Sequence, residues 1–318
     1  MTVSGTYGVY IVGVVAGISK NAQFSDIEIS AIDSTGALDV ATASPQALLF
    51  IGAIAGLCEG GNTSLINCGS GLEVKGSSAG SQGLIMGGLS GIIQGGVTKS
   101  YSTGKVSGKT TATGGEIVIG GLFGTNDAAI TNCYATGAIS VDSSDDVQAG
   151  GLVGNNNVNI QNSYATGNIS GSAQGSVQAG GLTGESDGNS VIEKCYAKGN
   201  INITSAASTY QVGGIVGALG ESETINTITK SAALNGSLSG GGSNIHRVVG
   251  SLYNNDVLTS NIANSAMMGG GSDKTANGKD GLDKNSIEIA SQETYTALGW
   301  DFTNIWEMSG GYPVLRWQ

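Results

Sequence analysis

One adjacent acidic pair, Asp145-Asp146, is the arrangement in this sequence that comes nearest to a catalytic pair of carboxylates. Enzymes that hydrolyse glycosidic bonds use two carboxyl groups, one as an acid and the other as a base or nucleophile. The pair ends the segment Asp142-Ser-Ser-Asp-Asp146, which separates two apolar runs and has no Gly-His-Gly sequence beside it. We therefore expect a solvated turn here, and a polysaccharide hydrolase remains an alternative interpretation.

A polysaccharide lyase would instead need a basic residue next to carboxylates that hold calcium. Arg247, which follows His246, is the only arginine within the repeated part of the chain, and an ordinary surface pair is its expected role. Calcium has two candidate positions, the turn at 142–146 and the residues Asp280 and Asp283. Neither has the spacing of an EF-hand or of the calcium-binding Gly-Gly-x-Gly-x-Asp repeat, so the sequence predicts solvated loops without a metal or a cofactor.

The cysteines and the single histidine do not form a metal-binding pattern. None of the four cysteines, Cys58, Cys68, Cys133 and Cys195, belongs to a Cys-x-x-Cys pair. Since His246 is the only histidine, a Cys/His zinc site is not supported by the sequence.

The composition excludes nucleic acid as a partner and indicates a folded chain. Lys and Arg number 13 against 24 Asp and Glu, a net charge of −11 that repels phosphates. Gly accounts for 55 of the 318 residues, but 39% of the residues are hydrophobic and they recur at fixed spacings. The longest apolar run, 47–58, is too short to cross a bilayer. No signal peptide is visible, so we expect export to involve a removed signal or a larger parent protein.

A short pattern of small residues around a leucine returns along the chain. The best copies read Gly-Gly-Leu-x-Gly and end at Gly91, Gly124, Gly154 and Gly184. Related copies end at Gly17, Gly56 and Gly217, and a degenerate eighth copy is Gly250-Ser-Leu-Tyr-Asn254. Successive copies end 30 to 39 residues apart, a period typical of repeat architectures.

A second pattern follows each copy of the first, most clearly in Ile130-Thr-Asn-Cys-Tyr-Ala-Thr-Gly137 and Ile160-Gln-Asn-Ser-Tyr-Ala-Thr-Gly167. A third short run, such as Ala138-Ile-Ser, closes each repeat. Apolar residues alternate with small or polar ones in these runs, which is the period of β-strands. The sequence therefore predicts an all-β fold, a right-handed parallel β-helix of about eight coils with three strands per coil and a length of roughly 40 Å.

Residues at the same position of successive repeats are expected to stack on one another. Four tyrosines form one such column, Tyr101, Tyr134, Tyr164 and Tyr196, and a column of Ser and Cys immediately precedes it. Neighbouring strand residues point to opposite faces, so if the Cys column is inside, the tyrosines face outward as candidate ligand-binding residues. The cysteines of that column lie two coils apart, about 9.6 Å by the coil rise, which exceeds the reach of a disulfide and predicts free, buried thiols.

The repeat fades near residue 270, and the rest of the chain differs in composition. All three tryptophans, Trp300, Trp306 and Trp317, lie in the last 19 residues. A solenoid end exposes unpaired strands, which an aromatic-rich segment is suited to cover. The sequence thus predicts a solenoid at 1–270 and a C-terminal cap at 271–318, with a short helix from Ser291 to Leu298 that stops at Gly299.

These repeats resemble the GLUG motif, which is named after Gly-Leu-any-Gly. Direct matches are Gly88-Leu-Ser-Gly91, Gly121-Leu-Phe-Gly124, Gly151-Leu-Val-Gly154 and Gly181-Leu-Thr-Gly184. The ending Tyr312-Pro-Val-Leu-Arg-Trp317 is similar to the tail that follows such repeats in bacterial surface proteins. The resemblance covers nearly the whole chain and is strongest from about 85 to 220. It implies a secreted or surface-anchored bacterial protein, a class in which many members are described as adhesins.

Some proteins with similar repeats are immunoglobulin-cleaving metallopeptidases whose separate catalytic domain carries a two-histidine zinc motif. This chain has one histidine and cannot contain that motif. The repeat itself brings no known catalytic residues, so the resemblance implies a noncatalytic extracellular or cell-surface protein that serves in cell adhesion or as a rigid spacer. The expected partner is a glycan or a host surface protein, with no nucleic acid and no insertion of this chain into a membrane.

Overall fold

The computed structural model describes residues 2–3, 8–30, 36–205, 207, 209–220, 224–242, 244–253 and 255–318. Within these residues the chain forms short parallel strands that stack into five long sheets, followed by two short helices and a hairpin. The predicted all-β parallel solenoid is confirmed. Asn254, the last residue of the degenerate eighth repeat, lies outside the described residues.

Each coil contributes one strand to each of five sheets, so the expectation of three strands per coil is wrong. Two of the three runs in each repeat bend at a corner, and each of them therefore supplies two strands. Four of the sheets have eight strands, which corresponds to about seven complete turns between the first and the last strand, slightly fewer than the eight coils expected.

The sheets are numbered here in the order in which one coil visits them. The first sheet contains Thr2–Val3, Ala37–Thr42, Glu73–Ser78, Val106–Thr110, Ile139–Ser143, Ile169–Ala173, Ile201–Ser205 and Leu238–Gly240. The second contains Gly8–Gly13, Ala47–Gly52, Leu84–Gly87, Ile117–Gly120, Val147–Gly150, Val177–Gly180, Tyr210–Gly213 and Asn244–His246. The third contains Ala16–Lys20, Ala55–Glu59, Ser90–Ile93, Phe123–Asn126, Val153–Asn156, Thr183–Ser186, Val216–Leu219 and Val249–Ser251.

The strands of the last two sheets are shorter. The fourth sheet contains Gln23–Ser25, Ser64–Ile66, Val97–Thr98, Ile130–Thr131, Ile160–Gln161, Val191–Glu193, Thr227–Thr229 and Val257–Thr259. The fifth sheet contains Glu28–Ile29, Gly69–Ser70, Tyr101–Ser102, Tyr134–Ala135, Tyr164–Ala165, Tyr196–Ala197, Ala232–Ala233, Ile262–Asn264 and Leu282–Lys284.

The Gly-Gly-Leu-x-Gly pattern forms the corner between the second and third sheets. Its leucine is fully buried in each of the four best copies, Leu89, Leu122, Leu152 and Leu182. The glycines leave no room for a side chain, because a Cβ at Gly151 would lie 2.1 Å from the carbonyl oxygen of Gly181 in the next coil. A Cβ at Gly154 would lie 2.7 Å from the carbonyl oxygen of Gly124 in the previous coil. Close approach of the main chains of adjacent coils therefore dictates the pattern.

A second corner lies between the fourth and fifth sheets, where one residue in each coil has a left-handed backbone conformation. Asn132, with φ of 56°, is such a residue, and it immediately precedes the buried Cys133. The same conformation occurs at the equivalent residues Asp26, Asn67, Lys99, Asn162, Lys194, Lys230 and Ser260. Asn and Asp enter this region more readily than most residues, which explains the Asn that recurs in the second sequence pattern.

The column of Ser and Cys that follows this corner points into the solenoid, as predicted. The backbone N–H of Cys133 donates to Oγ of Ser163 in the next coil at 3.1 Å, so the column is linked from coil to coil. All four cysteines are free and buried, which confirms the prediction of unpaired thiols. Burial raises the pKa of Cys133 and of Cys195 to about 12, so both stay protonated at neutral pH.

The loop at 270–284, called here the end cap, covers the last coil. Its carbonyl groups accept hydrogen bonds from that coil: Val248 N donates to Lys279 O at 2.8 Å, and Asn261 N donates to Ala276 O at 2.8 Å. Leu282 N in turn donates to Asn261 O at 2.9 Å, which adds the last strand of the fifth sheet. These bonds satisfy main-chain groups that an open solenoid end would leave exposed.

A buried carboxylate holds the end cap in place. Asp280 is fully buried, and it accepts hydrogen bonds from the backbone N–H groups of Arg247 at 3.0 Å, Gly271 at 2.8 Å and Asp273 at 3.1 Å. Its other contact is Nδ1 of His246 at 3.2 Å. Burial alone would raise the pKa of Asp280, but the hydrogen bonds from His246 and from the backbone outweigh it and hold the pKa well below its usual range.

Arg247 is the second anchor of the end cap. Its side chain is 2% exposed, donates to Oδ1 of Asp283 at 2.5 Å and donates to the carbonyl oxygens of Gly281 at 2.9 Å and Asn264 at 3.2 Å. The expectation that Arg247 belongs to an ordinary surface pair is therefore wrong. The fold of the end cap brings a carboxylate and carbonyl oxygens around the guanidinium, which lets the charge be buried.

After the end cap the chain forms two short helices, α1 at Ser286–Ile289 and α2 at Gln292–Thr296. Ser291 is the N-cap of α2, and Gly299 has φ of 79°, so the helix predicted at this place is present but shorter. An antiparallel hairpin of Trp306–Ser309 and Tyr312–Leu315 follows. In the part of the chain that the structure describes, neither helix has the length or the hydrophobicity that a bilayer-spanning segment requires.

Replacement of Gly151 by alanine is expected to lower the free energy of unfolding by about 1–3 kcal/mol, because the added methyl group overlaps main-chain atoms that cannot rotate away. The matched control is Gly61→Ala, since a Cβ at Gly61 meets nothing within 4 Å. Urea unfolding followed by circular dichroism measures both. Equal stabilities of the two variants would contradict the role assigned to the corner.

Asp280→Asn is expected to destabilise the protein by about 1–3 kcal/mol at pH 7, because an amide cannot accept the same set of N–H donors. The folded-state pKa of Asp280 lies below the unfolded value of about 3.9, so its stabilising effect is full above that pH and is lost as the pH falls through the folded value. The stability gap to wild type should therefore narrow below about pH 4. Urea unfolding at several pH values measures this difference in stability, with Asp127→Asn at an exposed position as the control. A difference that stays constant as the pH falls would contradict the prediction.

Candidate functional site

Four tyrosine rings form a continuous stack on the outside of the fifth sheet. The ring centroids of Tyr101, Tyr134, Tyr164 and Tyr196 are separated by 5.0, 5.2 and 4.7 Å in that order, with interplanar angles of 7–9°. Parallel pairing in register places each ring above the next. The predicted column of tyrosines is therefore present, and it faces away from the solenoid interior, opposite the cysteines.

Residues 300–318, called here the strap, fold back along this tyrosine stack instead of covering the end of the solenoid. The strap tryptophans contact successive tyrosines, with ring centroids 6.4, 6.3 and 5.6 Å apart for the pairs Trp300–Tyr196, Trp306–Tyr164 and Trp317–Tyr134. Within the predicted cap at 271–318, the end cap thus covers the end of the solenoid, whereas the strap lies along its side. The helices and the strap build a second hydrophobic cluster that is separate from the solenoid core.

Hydrogen bonds hold the strap in register with the coils. Trp300 Nε1 donates to Lys230 O at 2.8 Å, and Trp317 Nε1 donates to Asn132 O at 3.1 Å. Tyr196 OH donates to Pro313 O at 2.8 Å. The strap therefore has one defined position along the stack, because each of these donors needs a particular carbonyl oxygen.

The strap divides the four predicted ligand-binding tyrosines into two pairs. Tyr164 and Tyr196 are only 4% and 2% exposed under the docked strap, and a small part of each lines a depression on the flank of the strap. Tyr101 and Tyr134 are partly exposed beyond the strap hairpin. Burial raises the pKa of Tyr164 to about 12, and a hydrogen bond to Glu28 raises the pKa of Tyr101 to about 12, so both phenols are neutral at physiological pH.

Beside Tyr101 and Tyr134 lies a cavity of about 310 Å³, called here the acidic pocket. It is lined by Asp26, Ile27, Glu28, Asn67, Tyr101, Tyr134, Trp317 and Gln318. Tyr101 OH donates to Oε2 of Glu28 at 2.6 Å, and Nδ2 of Asn67 donates to Oδ1 of Asp26 at 2.6 Å. The pocket therefore combines three aromatic rings with two carboxylates.

The flank of the strap nearer the end cap has a different chemistry. Two adjoining depressions of about 450 and 270 Å³ share Thr166, Lys198 and Tyr312, and together they form what we call the strap groove. Its polar lining comes from Thr136, Thr166, Asn168, Lys198, Asn200 and Asn264. The ammonium group of Lys198 lies 3.9 Å from the ring centroid of Tyr312, a cation–π contact that joins the solenoid to the strap hairpin.

The family model of the GLUG motif matches residues 175–202, which contain the copy ending at Gly184 and the following strands up to the second residue of Ile201–Ser205. The chain therefore contains a GLUG motif within its repeats. Its repeats place the Gly-Leu-x-Gly sequence at one corner of four successive coils and the tyrosine stack on the fifth sheet of four coils. No curated protein matches the chain significantly.

A solved structure described as a "putative immunoglobulin A1 protease" from Bacteroides ovatus is similar to this chain. The two chains share 18% sequence identity at a TM-score of 0.43, and the similarity covers 94% of this chain and 76% of that chain. A likeness of this degree transfers no activity to this chain.

The adjacent acidic pair, Asp145-Asp146, lies in the turn between the first and second sheets of one coil and accepts hydrogen bonds from the neighbouring coils. A side-chain oxygen of Asp145 accepts a hydrogen bond from the backbone N–H of Gly114, and Oδ1 of Asp146 accepts one from Ser176 N at 2.6 Å. Sequence reasoning missed Glu116, whose pKa is raised by burial and by the charges of Asp146 and Asp145. Only the coil-to-coil register brings Glu116 near this pair, so no local motif could have revealed it.

The two candidate calcium positions also have structural partners. Asp280 is saturated by N–H donors and Asp283 pairs with Arg247, as described for the end cap. In the turn at 142–146, Oδ2 of Asp142 lies 2.6 Å from Nζ of Lys109. Within the described residues, no group of three or more His, Cys, Asp or Glu side chains is placed to hold a metal ion.

Trp306→Ala is expected to release the strap while the solenoid stays folded, because Trp306 is fully buried in the strap cluster and does not belong to the solenoid core. Loss of a buried tryptophan should weaken strap docking by about 3–5 kcal/mol. Chymotrypsin should then cleave at Tyr295 and Trp300 much faster than in wild type, as measured by mass spectrometry. Trp317→Ala, at a partly exposed position, is the milder comparison, and loss of the β-sheet signal in Trp306→Ala would contradict separate clusters.

Proposed function

We propose that this chain is a noncatalytic adhesion module of an extracellular or cell-surface bacterial protein, and that it binds a glycan in the strap groove. The observation that carries this proposal is the groove itself, where an aromatic ring, hydroxyl groups and side-chain amides converge on one open surface. The GLUG repeat supports a surface protein, since the resemblance to such repeats implies that setting.

The chemistry of the groove suits a sugar chain. Sugar rings offer apolar faces that pack on aromatic rings and hydroxyl groups that exchange hydrogen bonds with polar side chains. Tyr312 supplies the aromatic surface, while Thr136 and Thr166 supply hydroxyl groups at the same repeat position in successive coils. The spacing of the coils, about 4.8 Å, is close to the length of one sugar unit, so a chain along the solenoid axis can meet equivalent side chains repeatedly.

The solenoid presents this groove at a fixed place. Each coil is hydrogen-bonded in register to its neighbours through five sheets, which makes the module stiff along its axis. The net charge of −11 keeps the surface solvated and disfavours nonspecific contact with acidic polymers. A stiff, acidic rod with a local groove is suited to hold a binding site in place for adhesion. The same stiffness is also suited to a spacer.

Each of the substitutions Thr166→Ala and Tyr312→Ala is expected to weaken, by about threefold or more, the binding of a glycan identified by array screening, because each removes one contact of the groove. The matched control is Thr103→Ala, which changes the same repeat position in an earlier coil outside the groove. The purified chain is first screened on arrays of glycans and of extracellular-matrix proteins. Binding that responds equally to Thr103→Ala and Thr166→Ala would place the ligand elsewhere, and absence of binding on every array would leave the spacer role.

The alternative of a carbohydrate-active enzyme keeps one observation in its favour, the raised pKa of Glu116 beside Asp145 and Asp146. A carboxyl group that stays protonated at higher pH is suited to act as a general acid. Release of reducing or unsaturated sugar ends from a polysaccharide panel, lost in Glu116→Gln, would establish this alternative. Intact polysaccharide after long incubation would support the noncatalytic module.

A further inference from the structure

We propose that the acidic pocket is a second binding site, and that it takes an organic cation such as the alkylammonium of lysine, the guanidinium of arginine or a quaternary ammonium group. The site is formed where Asp26 and Glu28 of the first coil meet Tyr101, Tyr134 and Trp317. It shares no lining residue with the strap groove, so the two sites can be tested by separate substitutions.

The charges that line the pocket have one sign. Asp26 and Glu28 supply two carboxylates, and no lysine or arginine is among the lining residues. Lys99 and Arg316 line a neighbouring depression that shares only Trp317 with the acidic pocket. Arg316 is engaged there, because it donates to Phe302 O at 2.9 Å. An anionic ligand would be repelled from the acidic pocket, whereas a cation would gain two charge contacts.

The aromatic walls add the second feature of a cation site. Trp317 lies 6.2 Å from Tyr101 and 5.6 Å from Tyr134 between ring centroids, and its plane is tilted by 47° and 40° from theirs. Tyr134 is stacked between Tyr101 and Tyr164, so only its edge lines the pocket. The face of Tyr101 toward Gly69 carries no stacked ring, and this face and the indole of Trp317 are the electron-rich surfaces open to a cation. A cation within about 6 Å of a ring centroid is attracted to the ring face, most strongly for Trp.

A glycine creates the space for this arrangement. Gly69 occupies the column position between Glu28 and Tyr101, where the four later coils carry the tyrosine stack. A Cβ at Gly69 would lie 2.4 Å from Oε2 of Glu28 and 2.4 Å from the ring of Tyr101. Because no side chain fills that position, the carboxylate of Glu28 reaches Tyr101 OH and is held beside the aromatic walls.

Hydrogen bonds orient both carboxylates before a ligand arrives. Tyr101 OH fixes one oxygen of Glu28, and Asn67, held in the left-handed conformation with φ of 56°, fixes one oxygen of Asp26. Donors of this kind stabilise the ionised carboxylate without neutralising it. The pocket is thus prepared for a positive charge at low cost in side-chain ordering.

The test titrates the full chain, in buffer of low ionic strength, with Nα-acetyl-lysine-N-methylamide, whose side-chain ammonium group is free. The neutral comparison compound is Nα-acetyl-norleucine-N-methylamide. Tryptophan emission is followed because Trp317 lines the pocket, and calorimetry confirms the binding. The cation should bind saturably and about tenfold more tightly than the neutral comparison compound, and added salt should weaken it. Parallel titrations with Nα-acetyl-arginine-N-methylamide and with choline show whether the pocket prefers a guanidinium or a quaternary ammonium group to a primary ammonium group.

Glu28→Gln should weaken cation binding by about fivefold or more, since it removes one charge and keeps an acceptor for Tyr101 OH. The matched control is Glu73→Gln, a carboxylate paired with Lys75 on the first sheet, which should leave binding unchanged. Circular dichroism verifies that both variants are folded.

Three outcomes would overturn the proposal. They are equal binding of the cation and the neutral comparison compound, an unchanged affinity in Glu28→Gln, and displacement of the cation by uncharged monosaccharides at comparable concentration. The last outcome would make the pocket a sugar site. Loss of glycan binding in Thr166→Ala with cation binding intact would separate the two sites.

Discussion

The strands of each coil are hydrogen-bonded in register to the strands of the adjacent coils. Each residue therefore lies about 4.8 Å from the residue at the same repeat position in the next coil, and the two must pack together. Glycines stack on equivalent glycines at the Gly-Leu-x-Gly corner, because the main chains of adjacent coils approach more closely there than a Cβ atom allows, as at Gly151 and Gly181. Asn recurs at the opposite corner because the backbone must turn left-handed in every coil. The other columns of identical residues follow from the same constraint.

The tyrosine stack is one of these columns, and its exposed rings require other parts of the molecule to pack against them. Four aromatic rings in a row on the outer surface would form an exposed apolar strip, which soluble proteins usually cover or use for binding. The strap covers two of the rings with its tryptophans and leaves the other two at the edge of the acidic pocket. The covering segment thereby defines the two recesses beside it, one acidic and one lined by hydroxyl groups, amides and a lysine.

Sequence reasoning was most reliable where a residue interacts with its equivalents in other coils. The inward cysteines and the outward tyrosines both follow from the repeat, because stacking converts a sequence period directly into neighbours in space. It failed where a contact joins different parts of the repeat or lies outside it. Arg247 is buried by end-cap residues more than 30 positions away, and Glu116 meets Asp145 and Asp146 only through coil register.

The sequence by itself determined the all-β solenoid, its period and the identity of its columns, because those depend on local strand pattern and on repetition. The course of the last residues was decided only by tertiary structure. The aromatic tail was expected to cover an end, but the three tryptophans pack against a matching aromatic surface along the side, where the indole N–H groups of Trp300 and Trp317 also donate to backbone carbonyl oxygens. Shape and hydrogen-bond complementarity between distant segments decided this placement, and a repeat pattern holds no information about them.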